Sequence, residues 1–397
     1  MVTFHVNASK CNLCGKCKEI CPFGAIEIIE NRIEITSACK MCRLCIKKCP
    51  QKAITIIDEA RAVIDKNEWQ GVMVFVEHLE GEIHPVTLEL IGKAKELASK
   101  INHPVFAVFM GNNISSKAKS LLAYGIDRVF VYDYEQLDYF KVDIYANAFE
   151  DCIRKVKPCI VLIGATSIGR SLAPRLSTRF RTGLTADCTT LDVRENTDLV
   201  QIRPAFGGNI MAQIVTSSSR PQFATVRYKV MNQAVPVENL EGIIEKCRIN
   251  ADRLNSKIKV LDVRKKEKQP SITDAEVLVV AGRGVKEQKD MALVEELANL
   301  LGGLVAVTRG LVEDGRAHYT RQIGLSGRTV KPRLIITCGV SGSVQFTAGM
   351  NGSENIFAIN TDKNAPIFNI AHYGMVGDLK EILPVLIGRI KEERNWI

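Results

Sequence analysis

The sequence has no uninterrupted run of about 18 apolar residues, the length that a membrane-spanning helix requires. Its opening residues, Met-Val-Thr-Phe-His, do not begin a signal-peptide pattern. Long basic segments are also missing, because Lys47-Lys48 and Lys265-Lys266 are only short pairs. Nucleic-acid binding is therefore not expected. These absences predict a cytoplasmic protein without a membrane span.

The sequence also lacks a recognisable nucleophile with a neighbouring base, or an acid/base pair suited to a substrate. This absence counts against an enzyme that works alone. The 397 residues suffice for roughly two to four domains. With 46% hydrophobic residues, each domain can bury a core of its own.

Eight of the thirteen cysteines lie in two runs of the same spacing. Each run reads Cys-x-x-Cys-x-x-Cys-x-x-x-Cys-Pro, and the runs begin at Cys11 and Cys39. The same offset of 28 residues (39 − 11) takes Ala25-Ile26 to Ala53-Ile54, so the stretch is an internal repeat. This is the spacing of bacterial [4Fe-4S] binding runs, and it predicts two such clusters.

Disulfides and a zinc ribbon are the alternatives for these cysteines. Three cysteines within seven residues suit metal thiolates better than disulfides, and a zinc ribbon uses only two Cys pairs. In paired clusters the fourth Cys of each run ligates the other cluster. The predicted ligands are Cys11, Cys14, Cys17 and Cys49 for cluster one, and Cys39, Cys42, Cys45 and Cys21 for cluster two.

The other cysteines are scattered, and we expect them to be small buried apolar residues: Cys152, Cys159, Cys188, Cys247 and Cys338. Thiolates held by iron fit a reducing cytoplasm. The net charge is +9, from 53 basic and 44 acidic residues. A mildly basic surface of this kind favours acidic redox partners.

Apolar strand patterns alternate with helical patterns after the cysteine runs, which is typical of α/β domains. Within the first 60 residues, segments 26–28 and 33–35 instead predict a hairpin. Polar stretches at about 58–70 and 264–270 are the predicted linkers. The predicted domains are a small α+β ferredoxin-like domain at 1–60, followed by two doubly wound α/β domains at 68–262 and 270–397.

In the first α/β domain the predicted strands and helices alternate at 72–76, 88–99, 105–109, 116–124, 128–132, 144–156 and 160–164. The turn at Gly164-Ala165-Thr166 lies where phosphates often bind, but its glycines do not form a full dinucleotide fingerprint. Residues 182–231 change to short strands, including the run from Arg203 to Ile210. Two readings of that region stay open: tight turns with exposed arginines, or a surface presented to another subunit.

The last domain has predicted strands at 277–281, 304–308, 334–337 and 356–359, each followed by Gly or small polar residues. Ligands of open α/β sheets bind at the carboxyl ends of strands, so four such ends predict a binding site. Arg283 and Arg309 follow two of these strands and can meet a pyrophosphate or a reduced flavin. Amides of the Gly-rich turns can hold phosphate.

These C-terminal motifs resemble the α subunit of electron transfer flavoproteins. The resemblance covers about residues 70–397. It rests on Gly183–Cys188, Gly282-Arg283-Gly284, Thr308-Arg309, Gln322–Gly327, Gly339–Gln345, Ala348-Gly349-Met350, Ile359–Asp362, Ala365–Phe368, Tyr373-Gly374 and Asp378-Leu379. The ferredoxin-like extension resembles that of α subunits in flavin-based electron-bifurcating complexes of anaerobic bacteria.

The resemblance implies an FAD site in the last domain. It places Arg309 beside the isoalloxazine, Ser326 near N5 in place of the family's usual Thr, and Asn360 and Asp378 at the adenosine end. The full set of implied FAD contacts is Arg283, Thr308, Arg309, Gln322, Ser326, Gly327, Ser341, Gly342, Gln345, Asn360 and Asp378. Three positions depart from the family pattern: Leu325 replaces Gln, Phe346 replaces His, and His372 replaces Asp.

The implied function is electron bifurcation with a β subunit that carries a second FAD and an NADH site. One electron from NADH would pass over the α-subunit FAD to a flavin dehydrogenase, and the other to ferredoxin. An acyl-CoA-type partner such as a caffeyl-CoA reductase is the first choice, and a 2-hydroxyacid dehydrogenase the second. The rivals are a carrier without bifurcation, between an acyl-CoA or lactate-type dehydrogenase and ferredoxin, and a self-contained flavin enzyme.

Overall fold

The computed structural model describes residues 2–36, 38–58, 64–206, 210–237, 241–264 and 270–394. By its internal contacts the chain divides into two compact units, residues 1–64 and residues 65–397. The predicted boundary at residue 60 and most of the predicted 264–270 linker lie outside the described residues. Among the helices of the described segments, none has the length and apolar character needed to cross a membrane.

The first unit contains two small antiparallel sheets and two short helices. Its elements are β1 (Val2–Val6), α1 (Lys16–Glu19), β2 (Ile26–Ile29), β3 (Arg32–Ile35), α2 (Leu44–Lys48) and β4 (Ile54–Asp58). Strand β1 pairs with β4, and β2 pairs with β3, so the predicted hairpin is confirmed. Its core is small, with Ile26, Ile33, Ile54 and Cys45 buried and four of the other run cysteines packed against them: Cys11, Cys17, Cys21 and Cys49.

The second unit begins with a seven-stranded sheet whose strands run in the order β11-β15-β10-β5-β8-β9-β16. All its neighbouring strands are parallel. The elements are β5 (Val72–Val76), β6 (His78–Leu79), β7 (Glu82–Ile83), α3 (Pro85–Ile101), β8 (Val105–Gly111), α4 (Lys119–Leu122), β9 (Arg128–Asp133), α5 (Val142–Val156), β10 (Ile160–Gly164), α6 (Ser167–Arg179), β11 (Leu184–Cys188), β12 (Thr190–Val193), β13 (Leu199–Ala205), β14 (Ile210–Val215), β15 (Gln222–Val226) and β16 (Ile243–Lys246).

Both faces of this sheet are covered, as the continuous apolar strands require. Val74 of β5 packs in one core with Leu90 of α3, while Phe75 of the same strand packs in the other with Phe149 of α5 and Leu172 of α6. Helices therefore lie on opposite faces of one parallel sheet. Strands β12 to β14 form a separate antiparallel sheet. The predicted doubly wound α/β class is confirmed.

A second parallel sheet, of five strands in the order β18-β17-β19-β20-β21, follows in the same unit. Its elements are β17 (Val277–Ala281), α7 (Gln288–Leu300), β18 (Leu304–Val307), α8 (Arg309–Glu313), β19 (Leu334–Cys338), α9 (Val344–Thr347), β20 (Asn355–Asn360), β21 (Tyr373–Val376) and α10 (Leu379–Arg394). The division of this unit at residues 262–270 into two domains stays a prediction.

Some local expectations were wrong. The helix expected at 116–124 is only the single turn α4, because Ser115 N donates to Asp133 Oδ2 at 2.9 Å and holds the preceding chain in turns. Arg220, in a region where exposed arginines were one reading, is buried and paired with Asp198 at 2.8 Å. Four of the five scattered cysteines are buried as predicted, whereas Cys247 is half-buried.

Candidate functional site

The carboxyl ends of β17, β18, β19 and β20 meet in a cleft with a volume of about 790 Å³. The turns that follow β17 and β19 are in backbone contact there, because a Cβ added to Gly282 would lie 2.3 Å from the Gly339 carbonyl oxygen. Glycine is therefore required where the two turns cross. The cleft is of the size that holds small-molecule ligands and cofactors.

Seven of the eleven predicted FAD contacts line this cleft: Arg283, Thr308, Arg309, Ser326, Ser341, Gln345 and Asn360. The walls also contain Phe346, Ile323 and Val340, all nearly buried, which form an apolar floor. Cationic and hydroxyl groups thus stand at the rim of an apolar base. The roles assigned to individual residues remain predictions.

The other four predicted contacts lie behind or beside the cleft. Gln322 is buried and donates from Nε2 to Ser326 Oγ at 2.9 Å, so it can orient that hydroxyl. Gly342 adopts a φ of +85°, and a Cβ there would lie 2.2 Å from the Ile367 nitrogen. Gly327 lines a separate cavity next to Ser326.

Asp378 lines a smaller cavity of about 210 Å³ that shares Gly339 and Asn360 with the main cleft. Asn360 is already engaged by the protein: its Nδ2 donates to the Val340 carbonyl at 2.8 Å, and its Oδ1 accepts from Asp362 N at 3.0 Å. These bonds tie the end of β20 to the turn after β19. Asn360 therefore shapes the passage between the two cavities.

Charge in the main cleft comes mainly from Arg283 and Arg309. Arg309 starts helix α8, its side chain is 67% exposed, and its Nε donates to Glu313 Oε1 at 2.8 Å. Glu313 also lines the cleft and was not predicted from the sequence. Its i,i+4 position relative to Arg309 on a helix was the available signal.

Beside the smaller cavity, acidic and basic side chains pair with each other at the start of α7. Lys380 and Lys289 beside Glu287 lower the pKa of that carboxyl to about 2. Asp290 is fully buried, and its Oδ2 accepts from Glu287 N at 3.0 Å in a capping box. Among the described residues its Oδ1 has no hydrogen-bond partner, and it lies 3.7 Å from Lys380 Nζ. A donor on a bound group would satisfy this oxygen.

The three departures from the family pattern are now located. Phe346 packs in the core below the cleft and offers no hydrogen bond. The Leu325 carbonyl accepts from Arg227 at 3.1 Å. His372 accepts from Ile356 N at 3.0 Å through Nδ1, so its ring holds strands together instead of lining the cleft. A dinucleotide such as FAD fits this arrangement of apolar floor, cationic rim and open strand ends.

In the first unit, Cys11, Cys14, Cys17 and Cys49 line one cavity, and these four are the predicted ligands of cluster one. Ala25 N donates to Cys21 Sγ and Ala53 N to Cys49 Sγ, both at 3.4 Å and at equivalent positions of the repeat. Such N–H groups stabilise thiolates that bind iron.

All thirteen cysteines are free thiols, which disfavours the disulfide alternative. In the parts of the chain that the structure describes, no three His, Cys, Asp or Glu side chains approach closely enough to hold a single metal ion. A four-iron cluster needs its ligands farther apart than one ion does. Burial raises the pKa of the Cys17 and Cys45 thiols, and iron would have to displace those protons on binding.

Three family descriptions match the chain. The electron transfer flavoprotein domain matches residues 72–250, the electron transfer flavoprotein FAD-binding domain matches residues 271–351, and the 4Fe-4S binding domain matches residues 4–27. The last match contains the first cysteine run only. The second cluster therefore rests on the repeat and stays a prediction.

Several curated proteins are similar over most of this chain. Subunit LctC of the lactate dehydrogenase (NAD(+),ferredoxin) of Acetobacterium woodii is 56% identical over 95% of this chain and 90% of its own length. The electron transfer flavoprotein subunit alpha of Clostridium acetobutylicum is 44% identical over 84% of this chain and 100% of its own. The acryloyl-CoA reductase electron transfer subunit beta of Anaerotignum propionicum is 36% identical over 83% of this chain and 98% of its own.

Proposed function

This chain belongs to the electron transfer flavoprotein family, as an α subunit with an N-terminal 4Fe-4S domain, and we propose that it links a lactate-type dehydrogenase to NAD(H) and ferredoxin. In this function FAD occupies the cleft of the five-stranded sheet, and two [4Fe-4S] clusters occupy the first unit. A β subunit with a second flavin and the NADH site completes the electron path. The chain is then a redox subunit, not an enzyme by itself.

The observation that carries this proposal is how far the relatives extend along the chain. The Clostridium acetobutylicum α subunit aligns over its whole length yet leaves about a sixth of this chain unmatched. The Acetobacterium woodii subunit covers 95% of the chain, which must include most of the cysteine-rich unit. Its name joins lactate, NAD(+) and ferredoxin. An extra iron–sulfur unit on an FAD subunit supports the same combination of partners here.

A caffeyl-CoA or other enoyl-CoA reductase, the first choice from sequence alone, becomes the second candidate. It is favoured by the acryloyl-CoA reductase subunit, which matches at 36% identity. That relative covers 83% of this chain, so it supports an acyl-CoA partner for the FAD domain more than for the iron–sulfur unit. Coupling of the two electron routes, as in bifurcation, is part of the proposal for either partner.

The chain's own residues have defined tasks in this scheme. When bound, FAD accepts and donates electrons singly or in pairs. Arg283 and Arg309 would offset the negative charge of its pyrophosphate and reduced ring. Gln322, which donates to Ser326 Oγ at 2.9 Å, would hold the Ser326 hydroxyl in place in the wall of the cleft. Phe346 and Ile323, nearly buried below the cleft, would exclude water from the ring's inner face.

The test is anaerobic co-purification with a tag on this chain, followed by assays of the whole complex. We expect a β subunit and a flavin dehydrogenase to be recovered together. Lactate-dependent NAD⁺ reduction should then require reduced ferredoxin, which shows that the two routes are coupled. If lactate-dependent NAD⁺ reduction proceeded without ferredoxin, the chain would transfer electrons without coupling the two routes. Activity with crotonyl-CoA or caffeyl-CoA and none with lactate would favour the second candidate.

A further inference from the structure

The second cysteine run carries an unusual concentration of positive charge. No acidic residue occurs between Cys39 and Lys52. The basic residues of this stretch are all exposed, and none forms an ion pair or side-chain hydrogen bond within the described residues. We call them the second-run basic patch: Lys40, Arg43, Lys47, Lys48 and Lys52.

The internal repeat shows that cluster binding does not require this charge. Subtracting the offset of 28 gives the first-copy equivalents of the patch, in order: Asn12, Gly15, Glu19, Ile20 and Gly24. None of these is basic. The first copy nevertheless has the same cysteine spacing, and its first three cysteines line a cavity with Cys49. The first copy has Lys16 and Lys18 at other positions, so the repeat shows that a cluster-binding loop does not need basic residues at these five.

Two patch residues also occupy backbone positions that suit glycine. Arg43 has a φ of +64° and Lys52 a φ of +50°, while the equivalent Gly15 and Gly24 have φ values of +74° and +59°. A Cβ at either glycine would meet nothing within 4 Å, so space is not what selects glycine there. The left-handed backbone itself disfavours residues that have a Cβ. Long cations retained at such positions point to a function for their side chains.

In sequence, Lys40 and Arg43 of the patch bracket an exposed ligand, with exposed apolar residues beside them. Cys42, a predicted ligand of cluster two, is exposed, as are Met41 at 36% and Leu44 at 38%. An apolar centre beside a redox group, with charges around it, is the form of a small transient electron-transfer interface. The acidic residues Glu27, Glu30 and Glu34 lie instead on the β2–β3 hairpin, where Glu34 pairs with Arg32 at 2.7 Å.

We propose that the second-run basic patch docks an acidic ferredoxin, with cluster two as the point of electron exchange. This inference rests on the proposed function, which makes ferredoxin a partner. Charge complementarity selects the occupant. Five cations without an ion-pair partner among the described residues, in and just after the run that contains the exposed Cys42, attract an anionic redox protein and orient its approach. Cluster one, whose run carries Lys16, Lys18 and Glu19, then exchanges electrons with cluster two.

The test replaces patch residues by those of the first copy, in the full chain within its complex. Arg43→Gly with Lys52→Gly relieves the left-handed positions, and Lys47→Glu introduces the first-copy acid without touching them. The matched control is Lys16→Gln with Lys18→Gln, which removes two exposed charges from the other run. Binding of an oxidised acidic two-[4Fe-4S] ferredoxin is measured by biolayer interferometry at low and high salt. Iron content and the visible spectrum are recorded for each variant.

We expect both patch variants to keep their iron and to bind ferredoxin about tenfold more weakly at low salt, with a shallower salt dependence. The control should bind like the wild type. If both patch variants bound ferredoxin with wild-type affinity, or if the control lost as much affinity as they did, the docking site would be overturned. The proposed function would be unaffected as long as the wild-type complex reduced ferredoxin. A wild-type complex that neither binds nor reduces ferredoxin would overturn the docking site together with the proposed function.

Discussion

Arg309 carries one of the two positive charges that line the cleft. The family pattern places it beside the flavin ring, and the structure places it at the rim of the cleft with its side chain 67% exposed. Its partner Glu313, at 2.8 Å, holds the guanidinium near the cleft without burying it. An exposed pair of this kind adds little to folding stability, so a change at Arg309 reports on the bound cofactor.

We predict that Arg309→Ala lowers the reduction potential of the bound FAD. A cation beside the reduced ring contributes roughly 1–2 kcal/mol in a partly solvated site, which is about 20–45 mV for a two-electron couple. FAD should still bind through the other cleft residues. Spectroelectrochemical titration measures the shift, with Arg316→Ala outside the cleft as the control. An unchanged potential would place Arg309 away from the ring.

Residue types at strand ends were predictable because the sheet topology brings those ends together. Arg283, Thr308 and Ser341 follow three of these strands and line the cleft, as their places in the sequence predict. The sequence could not show that Gln322 is buried behind Ser326, or that the side chain of Asn360 is bonded to the Val340 carbonyl. Such contacts depend on how loops distant in sequence pack, which no local pattern encodes.

At the scale of elements, helix α3 contains a buried acid that bears no part of the proposed redox chemistry. Glu89 is 2% exposed and accepts from Lys229 N at 3.1 Å and Met231 N at 3.4 Å. It thereby ties the helix to the segment after β15. Burial outweighs these bonds and raises the pKa of Glu89 to about 7.

This raised pKa gives stability a definite pH dependence. The folded state holds the Glu89 proton to about pH 7, whereas the unfolded chain releases it near pH 4.3. The stabilisation of the folded state by protonated Glu89 is therefore complete below about pH 4.3 and is lost as pH rises through 7. Relative to Glu89→Gln, the wild type should lose about 2 kcal/mol between pH 5 and 8. Urea unfolding followed by tryptophan fluorescence measures it.

The control for this prediction is Glu96→Gln on the same helix, where the Glu96 side chain is 51% exposed. It should follow the wild-type pH dependence. Parallel curves for the wild type and Glu89→Gln would mean that Glu89 is ionised in the folded state throughout this range.

The duplicated cysteine run predicts about eight iron and eight sulfide per chain, since each complete run supplies the ligands of one four-iron cluster. Anaerobic purification followed by iron and sulfide analysis measures both. Cys247→Ala, at a half-buried cysteine outside the runs, should leave the values unchanged. A value near four would show that one copy of the repeat is empty.

Elements with strong apolar patterns were predicted well and weak ones poorly. Strands β5 and β10 are buried at every position. The apolar side chains that pack these strands into the core are therefore the same ones that form the sequence pattern. The short edge strand β21 was not predicted, because all four of its residues are exposed and one is Gly374. It forms through pairing with β20, a long-range contact that its own sequence does not signal.

At the scale of the whole molecule, the chain combines two compact units with different chemistry. Residues 1–64 contain both cysteine runs, while residues 65–397 contain two parallel sheets and the cleft proposed to bind FAD. The larger unit has extensive buried cores of its own. Because the core of the first unit is small, bound clusters would supply much of its folding energy.

The proposed function holds that electrons are exchanged with ferredoxin through the iron–sulfur unit, and with the dehydrogenase that oxidises lactate through the FAD unit. Removal of residues 1–64 tests it most directly, because the larger unit keeps its cores and its cleft. The truncated and full chains, each with their partners, are assayed side by side for lactate oxidation with an artificial acceptor and for electron exchange with ferredoxin. We predict that the truncated chain keeps FAD and the lactate reaction and loses the ferredoxin reaction. Ferredoxin exchange at the full rate without residues 1–64 would contradict the account.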